Sequence, residues 1–153
     1  TLRNEKNIFI CGNGGSGSNA NHIANDFIFA KTKKNFDHKI KVDSLNSNNS
    51  VITCIANDIS YKDIFSYQLK SKASKDDLLI VLSGSGNSEN IVEAVKYCNN
   101  NDIECFGILG FDGGKTSKII HNYIHIDSFD MQICEDAQTI IFHIIIKDII
   151  DNE

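Results

Sequence analysis

The 153-residue chain has no proline, no tryptophan, one methionine and no two cysteines in C-x-x-C spacing. The missing proline, beside abundant Asn, Lys and Ile, reads as a compositional bias rather than a structural device. Without C-x-x-C no cysteine-rich zinc knuckle is available. The cysteines Cys11, Cys54, Cys98, Cys105 and Cys134 are odd in number and scattered. Cys11, Cys54, Cys98 and Cys105 lie in or beside apolar runs, where small core residues in a reducing compartment are expected. Positive charge is also short: 15 Lys and Arg stand against 20 Asp and Glu, a net charge of −5. That balance argues against nucleic acid as a main partner, because phosphate backbones need a basic stripe. No apolar run reaches membrane-spanning length; "IIFHIIIKDII" is short and carries His143, Lys147 and Asp148. No signal-peptide pattern opens the sequence, so a cytoplasmic protein is expected.

What remains is an alternation. "NIFICG" (7–12), "KIKVDSL" (39–45), "DLLIVLS" (77–83), "ECFGILG" (104–110) and "YIHID" (123–127) read as strands. Helical patterns fall between them at 16–31, 48–56, 60–72, 88–100 and 130–151, with a short turn near 114–120. "DLLIVL" and "CFGIL" are continuous apolar runs, as expected of strands covered on both faces. The alternation predicts an α/β domain with a parallel sheet. Short connections and the lack of a low-complexity linker predict one domain over residues 1–153. The first strand begins within a few residues of the start, so a preceding helical segment is not expected within this chain.

Ligands in such sheets bind beyond the carboxyl ends of the strands. Two loops there are unusual: "GNGGSGS" after the first strand and "SGSGNS" (83–88) after the third. Glycines opening a helix let backbone N–H groups approach a phosphate, and the helix N-terminus favours its charge. Ser16 and Ser18 add hydroxyls from the first loop; Ser83, Ser85 and Ser88 add them from the second. Ser88 serves equally well as an N-cap of the helix that follows. Gly12-x-Gly14-x-x-Gly17 also spells a dinucleotide fingerprint, with Asp43 ending the second strand. We set NAD aside. Asp43 lies farther from the glycines than the usual ~20 residues, the serine loop has no task for a dinucleotide, and the first helix carries His22 and Asp26.

The segments "GNGGSGSNANHIANDF", "SGSGNSENIVEAVKYC", "GILGFDGGK" and "CEDAQTIIFHIIIKDII" together resemble the sugar isomerase (SIS) domain family, and within it the phosphoheptose isomerases. "IANDISYKDIFSYQL" (55–69) matches the family's Asn-Asp element. The resemblance implies a three-layer, flavodoxin-like α/β sandwich with a five-stranded parallel sheet, assembled as a homotetramer. It implies a phosphorylated sugar as ligand, held by Ser16, Ser83, Ser85 and Ser88, with Asn13 and Asp58 lining the substrate. Gly84 stands where the family often has Thr, and the family's N-terminal helical segment is missing.

Aldose–ketose isomerisation moves a proton between adjacent carbons through an enediol, which calls for a base and for stabilisation of the developing oxyanion. His22 and Asp26 are i and i+4 on one helix and can address one atom. Glu135 and His143 lie about two turns apart on the last helix and point the same way. Two imidazoles and two carboxylates so placed suit a divalent metal such as zinc. The resemblance assigns the metal site to His22, Asp26, Glu135 and His143, with Asp26, Glu135 and His143 catalytic. Asp26 replaces the family's Glu, Glu135 its Gln and Gln138 a further His. Those changes motivate a rival: a non-catalytic SIS module that binds sugar phosphate as a regulator or assembly partner. His38, His121 and His125 have no partner at ligand spacing and read as structural.

Overall fold

The computed structural model describes residues 6–33 and 39–152. His38 lies outside them. The chain runs β1 (Asn7–Gly12), α1 (Gly14–Lys33), β2 (Lys41–Ser44), α2 (Asn49–Asp58), α3 (Ser66–Lys72), β3 (Leu78–Ser83), α4 (Glu89–Asn99), β4 (Glu104–Leu109), β5 (Asn122–His125) and α5 (Met131–Asn152). All pairings are parallel, in the order β2-β1-β3-β4-β5. This is the five-stranded α/β sandwich expected from the alternation.

Alternate strand residues face opposite layers. Phe9, Cys11, Leu79 and Val81 pack with Phe65, Leu69, Ile91 and Val95 on the side of α2, α3 and α4. Ile8, Ile10, Ile80 and Leu82 pack with Ile23, Phe27, Phe142 and Ile146 on the side of α1 and α5. Double coverage explains why β3 reads as an unbroken apolar run.

Two details depart from the sequence reading. The helix expected over 60–72 is broken into a 3₁₀ turn, Tyr61–Asp63, and α3. Ser60 accepts a hydrogen bond from the Lys62 N–H and the Ser66 hydroxyl bonds the Asp63 carbonyl. These local serine bonds compete with a continuous helix. Cys54 is exposed rather than core, because α2 buries Ile55 and turns Cys54 outward. The core takes Cys134 instead.

From β1 the chain moves to β2 at one edge, then returns past β1 to β3. That reversal opens a crevice at the carboxyl ends of β1 and β3, where ligands bind in sheets of this kind. The two serine- and glycine-rich loops leave the sheet at these two ends.

Candidate active site

The first loop is braced before anything binds. Asn46, just after β2, accepts from the Gly12 N–H at 3.2 Å and donates to the Gly12 carbonyl at 2.9 Å. A Cβ at Gly12 would strike the Ser16 backbone, so only glycine lets α1 start this close to β1. Close packing of strand on helix is one use of the fingerprint glycines, independent of any nucleotide. Asp43, the ribose-binding candidate, holds the Lys72 ammonium at 2.8 Å.

Ser16, Ser83, Ser85 and Ser88 come together with Asn13 and Glu135 around a cavity of about 80 Å³. Ser16 Oγ accepts from Gln138 Nε2 at 3.1 Å, Ser83 Oγ from the Gly86 N–H at 3.0 Å, and Ser85 Oγ from the Asn87 N–H at 3.2 Å. A hydroxyl whose oxygen faces a donor keeps its proton for another acceptor. Ser88 sits at the N-cap position of α4 yet makes no side-chain capping bond. α1 and α4 both begin at this crevice, and their N-termini favour negative charge. Apart from the Glu135 carboxylate, the polar groups on the wall are neutral, and among the described residues no lysine or arginine lines it. Ser18 is outside it, exposed and 3.5 Å from the Gly14 carbonyl.

Asn13 is fixed from behind. Its side-chain oxygen accepts from Asn90 Nδ2 at 2.9 Å and the Tyr61 hydroxyl at 3.2 Å, while its Nδ2 donates to Asn90 Oδ1 at 2.8 Å. Asn90 and Tyr61 were missed by sequence reasoning. Asn90 had a signal: it shares the i, i+4 stripe of α4 with buried Ala94 and Cys98, and a buried amide needs a polar partner. Met131 was missed too. Its sulfur fills the place that a Cβ at Gly84 would take, so the departure from Thr at position 84 is matched by a side chain from α5.

α1 and α5 run in the same direction, so contacts advance along both: Glu135 lies across Gly15, Gln138 meets Ser16, and His143 meets His22. Phe27 and Phe142 pack edge to face beneath, with ring centroids 6.2 Å apart. At the far end of this seam His22 Nε2 and His143 Nε2 are 3.1 Å apart. Asp26 Oδ2 lies 3.3 Å from the first and 3.2 Å from the second. The shorter carboxylate at position 26 thus still reaches both imidazoles. Zinc–ligand bonds of about 2.0–2.1 Å give tetrahedron edges of about 3.3 Å, so the three atoms are spaced as ligands of one cation.

Glu135 is not among them. It is eight residues from His143, about 12 Å along the axis, and α-helical side chains lean toward the N-terminus. Its carboxylate turns to the serine pocket. Asp58 is also not brought in: it ends α2, exposed, accepting from Asn57 Nδ2 at 2.7 Å and from the Cys54 thiol at 3.5 Å. The carboxylate holds that thiol neutral, first through the hydrogen bond and then through its charge, and raises the Cys54 pKa. His125 bonds the Phe111 carbonyl at 2.7 Å.

The SIS domain family profile matches residues 1–110. A phosphoheptose isomerase from Clostridium acetobutylicum is 38% identical over 97% of this chain and 74% of its own length. One from Aliarcobacter butzleri is 36% identical over 100% of this chain and 79% of its own. The chain belongs to the phosphoheptose isomerase family. The solved phosphoheptose isomerase GmhA of Neisseria gonorrhoeae superposes with a TM-score of 0.90 at 28% identity, covering 99% of this chain and 79% of that one. Among the described residues no helix is long and apolar enough to cross a membrane.

Proposed function

We propose that this chain is an aldose–ketose isomerase that interconverts sedoheptulose 7-phosphate and D-glycero-D-manno-heptose 7-phosphate. The observation that carries the reading is the spacing of two centres along one helix seam. Ser16 and His22 are six residues apart on α1, about 9 Å. An extended chain advances about 1.2 Å per bond, which puts C2 of a seven-carbon sugar about 8 Å from its phosphorus. A phosphate among Ser16, Ser83, Ser85 and Ser88 therefore sets C1 and C2 near His22, Asp26 and His143.

The serine hydroxyls and the two helix N-termini hold the phosphate, and Asn13, kept in one orientation by Asn90, reaches toward the sugar. A carboxylate takes the proton from one of the two reacting carbons and returns it to the other; Asp26 is at the reacting end and Glu135 nearer the phosphate. His143 moves protons at the two oxygens and in ring opening. His22, Asp26 and His143 fit a divalent cation, zinc by donor type, which when bound supplies positive charge for the developing oxyanion. Asp58 joins the substrate in this reading only from outside the serine pocket.

The reading includes a homo-oligomer, a tetramer by resemblance, in the cytoplasm. His22 and His143 are about half exposed, and exposed Phe29, Ile140 and Ile144 lie on the same two helices, an apolar rim suited to a second copy. Relatives named as isomerases favour an enzyme over a binding module. The test is to incubate the protein with sedoheptulose 7-phosphate, with and without added zinc, and follow the anomeric proton of the aldose by NMR. Appearance of the aldose is expected. Tight sugar-phosphate binding without turnover at any metal loading would instead support the binding module.

A further inference from the structure

We infer that Gln138 and Asn19 are positioning residues that set the direction of the Ser16 hydroxyl, making it an obligate donor into the serine pocket. The inference rests on reading that pocket as the phosphate site.

The chain of bonds has one polarity. It starts at the Glu135 backbone carbonyl, which can only accept. Asn19 Nδ2 lies 2.9 Å from it, so the nitrogen side of this amide faces α5. The same nitrogen donates to Gln138 Oε1 at 3.1 Å. The Gln138 amide is thereby oriented with Nε2 on the opposite side, where it donates to Ser16 Oγ at 3.1 Å. Amide orientation is ordinarily ambiguous; here a group that cannot donate fixes it. Gln138 is fully buried and Ser16 nearly so. The Ser16 oxygen is occupied on the protein side and its proton is left for an acceptor in the cavity.

The alternative state is close at hand. A serine near a helix start can turn its hydroxyl back to the carbonyl four residues earlier, which for Ser16 is that of Gly12. Removing the Gln138 amide releases Ser16 to make that bond and withdraws one donor from the anion. Ser83 and Ser85 receive the same treatment from backbone N–H groups, so Ser16 is the pocket serine whose direction depends on a side chain. The relay belongs to the phosphate end, where the ground state and the transition state bind alike. Its loss is therefore expected in KM and not in kcat.

The test is a double-mutant cycle on the full chain, with sedoheptulose 7-phosphate as probe, calorimetry for affinity and circular dichroism for folding. Gln138→Leu and Ser16→Ala are each expected to weaken binding about tenfold to a hundredfold, the worth of one hydrogen bond to an anion. Gln138→Leu in the Ser16→Ala background is expected to cost nothing further, because its effect passes through Ser16. Asn19→Ala gives a smaller loss that also vanishes in that background, and stands in if Gln138→Leu does not fold. Wild-type affinity in both relay variants overturns the inference. So does an equal loss with and without Ser16, which marks a merely structural role. Ser85→Ala separates the two levels: if it and Ser16→Ala both leave affinity unchanged, the phosphate reading fails and the relay with it. If both weaken binding while the relay variants do not, only the relay fails.

Discussion

Replacing Asp26 by Asn keeps the shape of the side chain and removes its charge. The carboxylate oxygen lies 3.2 Å and 3.3 Å from the two imidazole nitrogens, close to the edge of a zinc tetrahedron, so the substitution tests whether these three atoms hold a cation together. A dication about 2.1 Å from a unit negative charge gains about 4 kcal/mol even with the full dielectric of water. The amide oxygen that remains, and water returning to the cation, recover part of this. The expected loss is about 100-fold in zinc affinity, about 2.7 kcal/mol. Competition with a chromogenic chelator at fixed pH measures it, with circular dichroism to show that the fold is intact. Isomerase activity measured at saturating sugar should fall together with metal occupancy. A folded Asp26→Asn variant that keeps zinc affinity within about threefold would refute the trio as the metal site, since a carboxylate ligand cannot be worth so little.

Gly84→Thr restores the side chain common in the family but meets the Met131 sulfur. It is expected to destabilise by about 1–3 kcal/mol in urea titration, and Met131→Ala should relieve that cost. Asp58→Asn removes the carboxylate that raises the Cys54 pKa. With the pKa lowered, more thiolate exists at any pH below it, so iodoacetamide should label Cys54 faster between pH 7 and 8; an unchanged rate would mean the thiol does not bond Asp58 in solution.

β1, β3 and β4 were legible because each is a short apolar run bounded by polar residues, and the parallel sheet because helical patterns separate the strands. The serine pocket was legible from composition alone: no capping rule asks for three serines and two glycines in six residues. Geometry along a helix was less so. Same-face spacing correctly paired His22 with Asp26, but for Glu135 and His143 it gave only a shared direction, and two turns of rise separate their side chains. The supports were missed for a different reason. Asn46, Asn90 and Tyr61 act from other elements, 34, 77 and 48 residues from the loop atoms they hold, and a separation of that kind leaves no local pattern that names the partner, even where the α4 stripe marks Asn90 as buried.

The pocket wall shows how the site manages charge. Among the described residues it carries no lysine or arginine and does carry Glu135, yet it is read as a phosphate site. Neutral donors resolve this. Two helix N-termini and four hydroxyls, three of them with the protein's own N–H groups on their oxygens, supply polarised hydrogen without a net cation. A lysine in the same place would ion-pair with Glu135 in the free protein and would have to be separated from it before an anion could enter. Hydroxyls need no such separation, so on the phosphate reading a carboxylate and a phosphate can share one small cavity.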